Sequence, residues 1–252
     1  MRNIVNPSVL AAIAGITNGD FSNHCLVEGG AGFVTIGGYS IGKEMISASV
    51  KSKQRGRNEF ILNYREEEKE IHHELSKISE SSRVIINLRV NTYSAAKNFA
   101  VRFRDLLNKD QPTLEINAHC RQTEIVEKGG GQSLLQRIDT LEKIVKVFQS
   151  EDFKVSLKIR GNTVSPSFLI PQIEKWYLDF LHIDSYKEGS SGTDLKLLNH
   201  YTKALDIAII GNNSVIDLQS ALAILNTGAS YFSIARAAQR NPSIFSNLLK
   251  HF

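Results

Sequence analysis

The chain has 252 residues, 42% of them hydrophobic and 22% charged, the composition of a soluble globular protein with a sizeable core rather than a disordered or fibrous chain. Its formal charge of +4 and isoelectric point near 9.0 permit a polyanionic partner without requiring one, because charge alone argues only solubility and non-specific affinity. Two cysteines, Cys25 and Cys120, make no disulfide framework and fit a reducing cytoplasm. No stretch reaches the ~18 apolar residues of a membrane span, and Met1–Pro7 lacks the apolar segment of a secretory leader.

Eight short apolar, β-branched runs follow one another along the chain: Val9–Ala14, Gly32–Ile36, Arg83–Leu88, Thr113–Ile116, Lys154–Ile159, Phe180–Ile183, Ile207–Ile210 and Tyr231–Ile234. Near-continuous hydrophobicity suits parallel strands covered on both faces. Amphipathic segments lie between them. Phe21–Val27 is helical and buries Cys25. Tyr64–Ser79 carries Ile71, Leu75 and Ile78 at helical spacing, while its His72-His73 pair reads as solvated. Ser94–Leu107 aligns Phe99, Phe103 and Leu106; Arg137–Phe148 aligns Ile138, Leu141, Ile144, Val145 and Phe148; Ile216–Leu225 aligns Leu218, Leu222 and Leu225. Each stripe packs one helix face on a sheet. Eight strand–helix repeats in about 250 residues predict one domain over residues 1–252, a closed (β/α)8 TIM barrel of the α/β class. Two long loops follow the second and fourth strands. Gly37–Glu59 holds the basic run Lys51, Lys53, Arg55 and Arg57, and Ala118–Gln132 holds Gly129 to Gly131. Loops after strands build the sites of such barrels.

Several residues at those strand ends can carry chemistry. Gly211-Asn212-Asn213-Ser214 is a small polar turn, with Ser214 a plausible N-cap, and Ala235-Arg236 follows the last strand. Such turns either hold a phosphate on backbone N–H groups or are ordinary turns. Lys158 and Arg160 alternate on one face at the end of the fifth strand, where a charge at the interior top usually marks a site. Asn117 offers a donor and an acceptor to a planar ring. Cys120 lies in a loop between His119 and Arg121, a cationic, accessible setting for a reactive thiol. His182 ends the sixth strand, as a core residue or a ligand contact. Cys120, His119 and His182 lack a familiar ligand spacing, so no metal is expected.

Taken together, these segments resemble the dihydrouridine synthase family of FMN barrels, with dihydroorotate dehydrogenase-like barrels as neighbours. Ala11–Thr17 is similar to the family's first strand, Asn117-Ala118-His119-Cys120 to its Asn-Met-Gly-Cys motif, and Glu127–Leu135 to the glycine-rich segment after it. Lys158-Ile159-Arg160 matches its Lys-Ile-Arg, Ile210–Asn213 its Gly-Asn-Gly-Asp turn, and Ile234-Ala235-Arg236 with Asn241-Pro242 its closing sequence. The resemblance implies an FMN-dependent oxidoreductase acting on a uracil-like or other small unsaturated substrate. FMN phosphate would be held by Gly211, Asn212, Asn213, Ala235 and Arg236. Ala12, Ile13 and Ala14 would lie against the ring, with Asn87 and His182 contacting the cofactor. Lys158 would stabilise reduced flavin, Asn117 would touch the substrate ring, and Cys120 would be the proton donor. The family's Gly-Cys-Pro is His119-Cys120-Arg121 here, and its sixth-strand His-Gly-Arg is His182-Ile183-Asp184.

Two alternatives stand beside this expectation. One is a tRNA dihydrouridine synthase proper, gripping RNA through residues 51–57. The other is a barrel without redox activity that binds a phosphorylated metabolite. Association into a homo-oligomer is open.

Overall fold

The structure is a computed structural model that describes residues 6–107, 111–187, 189 and 192–251; most of the Met1–Pro7 segment lies outside them. Eight parallel strands close into a barrel in chain order: β1 Ser8–Leu10, β2 Phe33–Ser40, β3 Val84–Arg89, β4 Thr113–Ala118, β5 Val155–Arg160, β6 Phe180–Asp184, β7 Ala208–Asn212 and β8 Tyr231–Ile234. The helices are α1 Gly19–Val27, α2 Lys43–Gln54, α3 Glu67–Ser76, α4 Tyr93–Arg104, α5 Thr123–Glu127, α6 Ile138–Ser150, α7 Pro166–Ile173, α8 Leu195–Ala204, α9 Leu218–Leu225, α10 Arg236–Arg240 and α11 Ile244–Leu249. This is the single-domain TIM barrel that the alternation predicts. Among the described residues, no helix is long and apolar enough to cross a membrane.

The core has two shells. Between sheet and helices lies the larger one, where Phe99, Phe103 and Phe153 stack at 5.1 and 6.1 Å and Cys25 is fully buried. Burial pushes the Cys25 thiol up to about 12, the behaviour of a small hydrophobe. Inside the barrel, Phe33, Phe180 and Tyr231 meet edge to face at the N-terminal ends of their strands. With Val9, Ile85 and Ile210 they plug that end. The interior above this plug is polar, and it carries the site.

Local chemistry explains the boundaries that differ from expectation. Strand β1 stops at Leu10, short of Ala14. The Thr17 hydroxyl bonds the N–H of Ile13 and the carbonyls of Ile13 and Gly37, folding residues 11–17 back as a turn. The predicted loop Gly37–Glu59 is mostly ordered: β2 runs to Ser40 and Lys43–Gln54 is helical. Its buried stripe is Met45, Ala48, Ser49 and Ser52, half of it serine, which hid the periodicity. The loop Ala118–Gln132 likewise contains α5. Ser214 does not cap a helix; Asp217 does, in a capping box with Ser220. The buried positions of α9 are accordingly Ala221 and Ile224, while Leu222 is partly exposed.

Candidate functional site

An open cleft of about 820 Å³ lies over the C-terminal ends of β4 to β8, within the usual size range of small-molecule and cofactor sites. Among the described residues its walls carry Arg121, Arg160, Arg236 and Arg240 against one carboxylate, Asp184. Arg160 is buried and its guanidinium stacks over Tyr186 at 4.4 Å. Asp184 is itself engaged, its Oδ2 standing 2.6 Å from His119 Nε2. The cleft is therefore built for a negatively charged occupant.

Two turns close one side. At the end of β7, Asn213 and Ser214 both have positive φ, 124° and 54°, a strained arrangement for side-chain-bearing residues of the kind that gathers at functional sites. At the end of β8, Ala235 leads into α10 without a side-chain cap. Asn212, Asn213, Ala235 and Arg236 all line the cleft. Gly211 does not. A Cβ there would stand 2.4 Å from Ile224 and 2.9 Å from Leu198, so this glycine serves the approach of α8 and α9 to the strand.

Beneath the cleft the barrel interior holds one continuous hydrogen-bond network centred on Glu115, which is completely buried. Asn87 Nδ2 donates to its Oε1 at 2.7 Å. Ser156 Oγ donates to Oε2 at 3.0 Å, and His182 Nδ1 donates to the same oxygen at 2.8 Å. On one side the Ser233 hydroxyl bonds His182 Nε2 at 2.8 Å and receives Asn212 Nδ2. On the other, Asn117 Nδ2 donates to Asn87 Oδ1 at 2.8 Å. The chain of donors thus runs inward from both walls to one carboxylate. Burial by itself would raise the Glu115 pKa. His182, Lys158 and Asn87 outweigh it and hold the carboxyl down at about 2. Burial and the Lys158 charge push the His182 pKa down, opposed by Glu115.

Lys158 sits between Asn117 and His182 in register and is buried. Burial lowers its pKa, opposed by the Glu115 and Asp184 carboxylates. Among the described residues its ammonium makes no hydrogen bond or ion pair, so its three donors remain unspent in the barrel interior, two positions along β5 from the cleft-lining Arg160.

The other expected site residues are arranged differently. His182 and Asn87 are fully buried within the Glu115 network, His182 bonded through both ring nitrogens and Asn87 bonded to Glu115 and Asn117, and neither lines the cleft. Asn117 spends its Oδ1 on the backbone N–H groups of His119 and Cys120, at 3.2 and 2.9 Å. Cys120 is not the accessible loop thiol expected between two cations. It is 8% exposed and packs with Met45, Ala48 and Ile125. Ala12, Ile13 and Ala14 lie half-buried on the β1–α1 turn, outside the cleft's lining. The basic run belongs to α2 and the turn after it, with Arg55 paired to Glu124 at 2.7 Å.

The sequence reading missed Glu115, Ser156, Asp184 and Ser233. The available signal was a charged residue inside an apolar strand run, Leu114-Glu115-Ile116, two positions before Asn117 and so on the same face.

Gly131 shapes the Cys120 turn. Its φ is +56° and a Cβ would lie 2.3 Å from the Cys120 carbonyl oxygen. Gly131→Ala is expected to destabilise the protein by about 1–3 kcal/mol and to expose Cys120. Faster alkylation by iodoacetamide checks this; an unchanged rate rules it out.

No protein-family model matches the chain. An uncharacterised protein of Methanocaldococcus jannaschii is 32% identical over 232 residues, covering 90% of this chain and 87% of that protein. A tRNA-dihydrouridine(47) synthase-like protein of Xenopus tropicalis is 28% identical over 155 residues, covering 57% of this chain and 24% of that protein's own length. Among solved structures, DHODH of Eimeria tenella in complex with ferulenol superposes with a TM-score of 0.70 at 16% identity, covering 97% of this chain and 80% of that one.

Proposed function

We propose that this chain, similar over about half its length to tRNA-dihydrouridine synthase-like proteins, is an FMN-dependent oxidoreductase acting on an unsaturated heterocyclic or other small substrate. One observation carries the reading. A buried lysine, Lys158, without a hydrogen-bond partner among the described residues stands on β5 two positions before Arg160, beneath a cationic cleft that Arg160 lines and whose other side is formed by the two turns after β7 and β8. These residues fit the group: backbone N–H groups and Arg236 for a phosphate, small residues that let the chain approach it, and a free ammonium for the anionic reduced ring.

FMN, when bound, supplies hydride chemistry. The chain supplies the rest. Asn212, Asn213, Ala235 and Arg236 hold the phosphate tail. Lys158 would hold positive charge where negative charge develops, with the Glu115 and Asp184 carboxylates attracting its ammonium. Arg160 and Arg121 favour an anionic substrate.

The test is the absorption spectrum of the purified protein, with mass spectrometry of whatever acid releases. Visible flavin bands and a released FMN mass are expected. A colourless protein whose melting temperature ignores added FMN sinks the reading. Lys158→Met should lower the midpoint potential of the bound flavin by about 30–60 mV, the equivalent for two electrons of losing one charged hydrogen bond. An unchanged potential removes Lys158 from the role.

The four arginines of the cleft also favour RNA as the carrier of a uracil substrate. That reading requires tRNA binding that weakens steeply with salt. Absence of filter binding at low salt excludes it.

A further inference from the structure

We propose that His119, held by Asp184, is the residue that exchanges a proton with the reacting carbon of the substrate, and that Cys120 is a packing residue of the same turn. This rests on the flavin reading and names the acid–base partner of that site.

The turn after β4 separates the two side chains. Asn117 Oδ1 accepts the N–H groups of both residues, and the Gln132 N–H holds the Cys120 carbonyl at 2.9 Å. Pinned this way, Cys120 enters the apolar cluster under α2, while His119 joins the wall of the cleft. A proton donor must reach the substrate carbon. His119, with 30% of its side chain accessible, faces the cleft; Cys120 is absent from the cleft's lining.

Asp184 gives the histidine a defined role. Its carboxylate takes Nε2–H at 2.6 Å, which fixes the tautomer and leaves Nδ1 without a protein partner among the described residues. This is the orienting arrangement of an acid-held catalytic imidazole. The pair bridges β4 and β6 above Lys158 of β5, with Arg160 beside Asp184 in register. Burial and the charges of Lys158 and Arg160 press the His119 pKa down, while Asp184 works against them. At neutral pH Nδ1 therefore carries a lone pair, suited to accept a proton. Both members of the pair stand where this chain departs from the family's pattern, which has glycine and arginine there.

The balance of the step is simple. FMN, when bound, would take the hydride from one carbon of the substrate; His119 Nδ1 would take the proton from its neighbour, leaving a carbon–carbon double bond between them. The imidazolium is stabilised by Asp184 and discharges to solvent through the open cleft. In the reverse direction FMN, when bound and reduced, would supply the hydride and His119 Nδ1–H would be the acid.

The test uses FMN-loaded protein. His119→Asn, Asp184→Asn and Cys120→Ser are compared in anaerobic reoxidation of photoreduced protein by uracil, orotate and 2-cyclohexenone. For whichever probe reacts, the first two variants should slow reoxidation about 100-fold or more, and Cys120→Ser should stay near wild type. The reverse pattern overturns the proposal. If no probe reacts, imidazole nitrogen NMR decides. His119 should show the Nε2–H tautomer, lose it in Asp184→Asn, regain it in Asp184→Glu, and titrate at higher pH once the flavin is reduced beside it. A His119 ring indifferent to Asp184 and to the flavin's redox state overturns the proposal while the protein stays yellow. A protein that binds no flavin ends the reading beneath it instead.

Discussion

Replacing Glu115 with Ala is expected to destabilise the protein by about 3–5 kcal/mol, the usual cost of removing one partner from a buried charged cluster. Three buried donors lose their acceptor at once: Asn87 Nδ2, Ser156 Oγ and His182 Nδ1. The Lys158 ammonium also loses the carboxylate that balances it. No water of the cleft replaces these contacts cheaply, because Glu115, Asn87, Ser156 and His182 are all fully buried. With a total stability of about 5–15 kcal/mol for an ordinary domain, this is a large fraction. Urea denaturation should show the midpoint falling with little change in slope. Glu115→Gln keeps the volume and one acceptor and should cost less. A loss under about 1 kcal/mol for the alanine variant would show that the interior does not depend on its carboxylate.

The same residue marks where reading the sequence stops. All eight strands were legible, because a parallel strand covered on both faces declares itself as an apolar run. Lys158 and Arg160 were legible for the converse reason: a charge that breaks such a run at its end attracts notice. Glu115 breaks a run in its middle, and only the neighbouring strands supply the partners that make a buried carboxylate tolerable. Those partners come from β3, β5 and β6, so no local window contains them. Helix α2 was lost because serines occupy half of its buried face. The direction of the Cys120 side chain was lost because it depends on Asn117 and Gly131 pinning a turn, which spacing does not reveal. His119 and Asp184 are 65 positions apart, and their pairing follows from barrel closure alone.

Acid should unfold this protein in two stages, and Glu115 should own the second. For a group whose folded pKa lies below its unfolded value, the unfolded chain binds more protons in the interval, and stability falls as pH drops through it. His182 and His119 are both depressed from 6.5, so stability begins to decline below about that pH. Glu115 is held at about 2 against an ordinary 4.5; its contribution is complete above 4.5 and is lost as pH falls toward 2. That interval corresponds to about 3 kcal/mol, and Asp184, also depressed, adds with the same sign. The measurement is urea denaturation at a series of pH values from 8 to 3. Wild type should begin to lose stability below about 6.5, then lose it more steeply below 4.5. In Glu115→Gln the first decline should persist and the second should shrink, because no carboxyl remains at the hub to be protonated. Equal slopes for the two proteins below pH 4.5 would mean that some other carboxylate carries the acid transition, and that the inward-running donors of β3, β5 and β6 do not hold Glu115 in its ionised form.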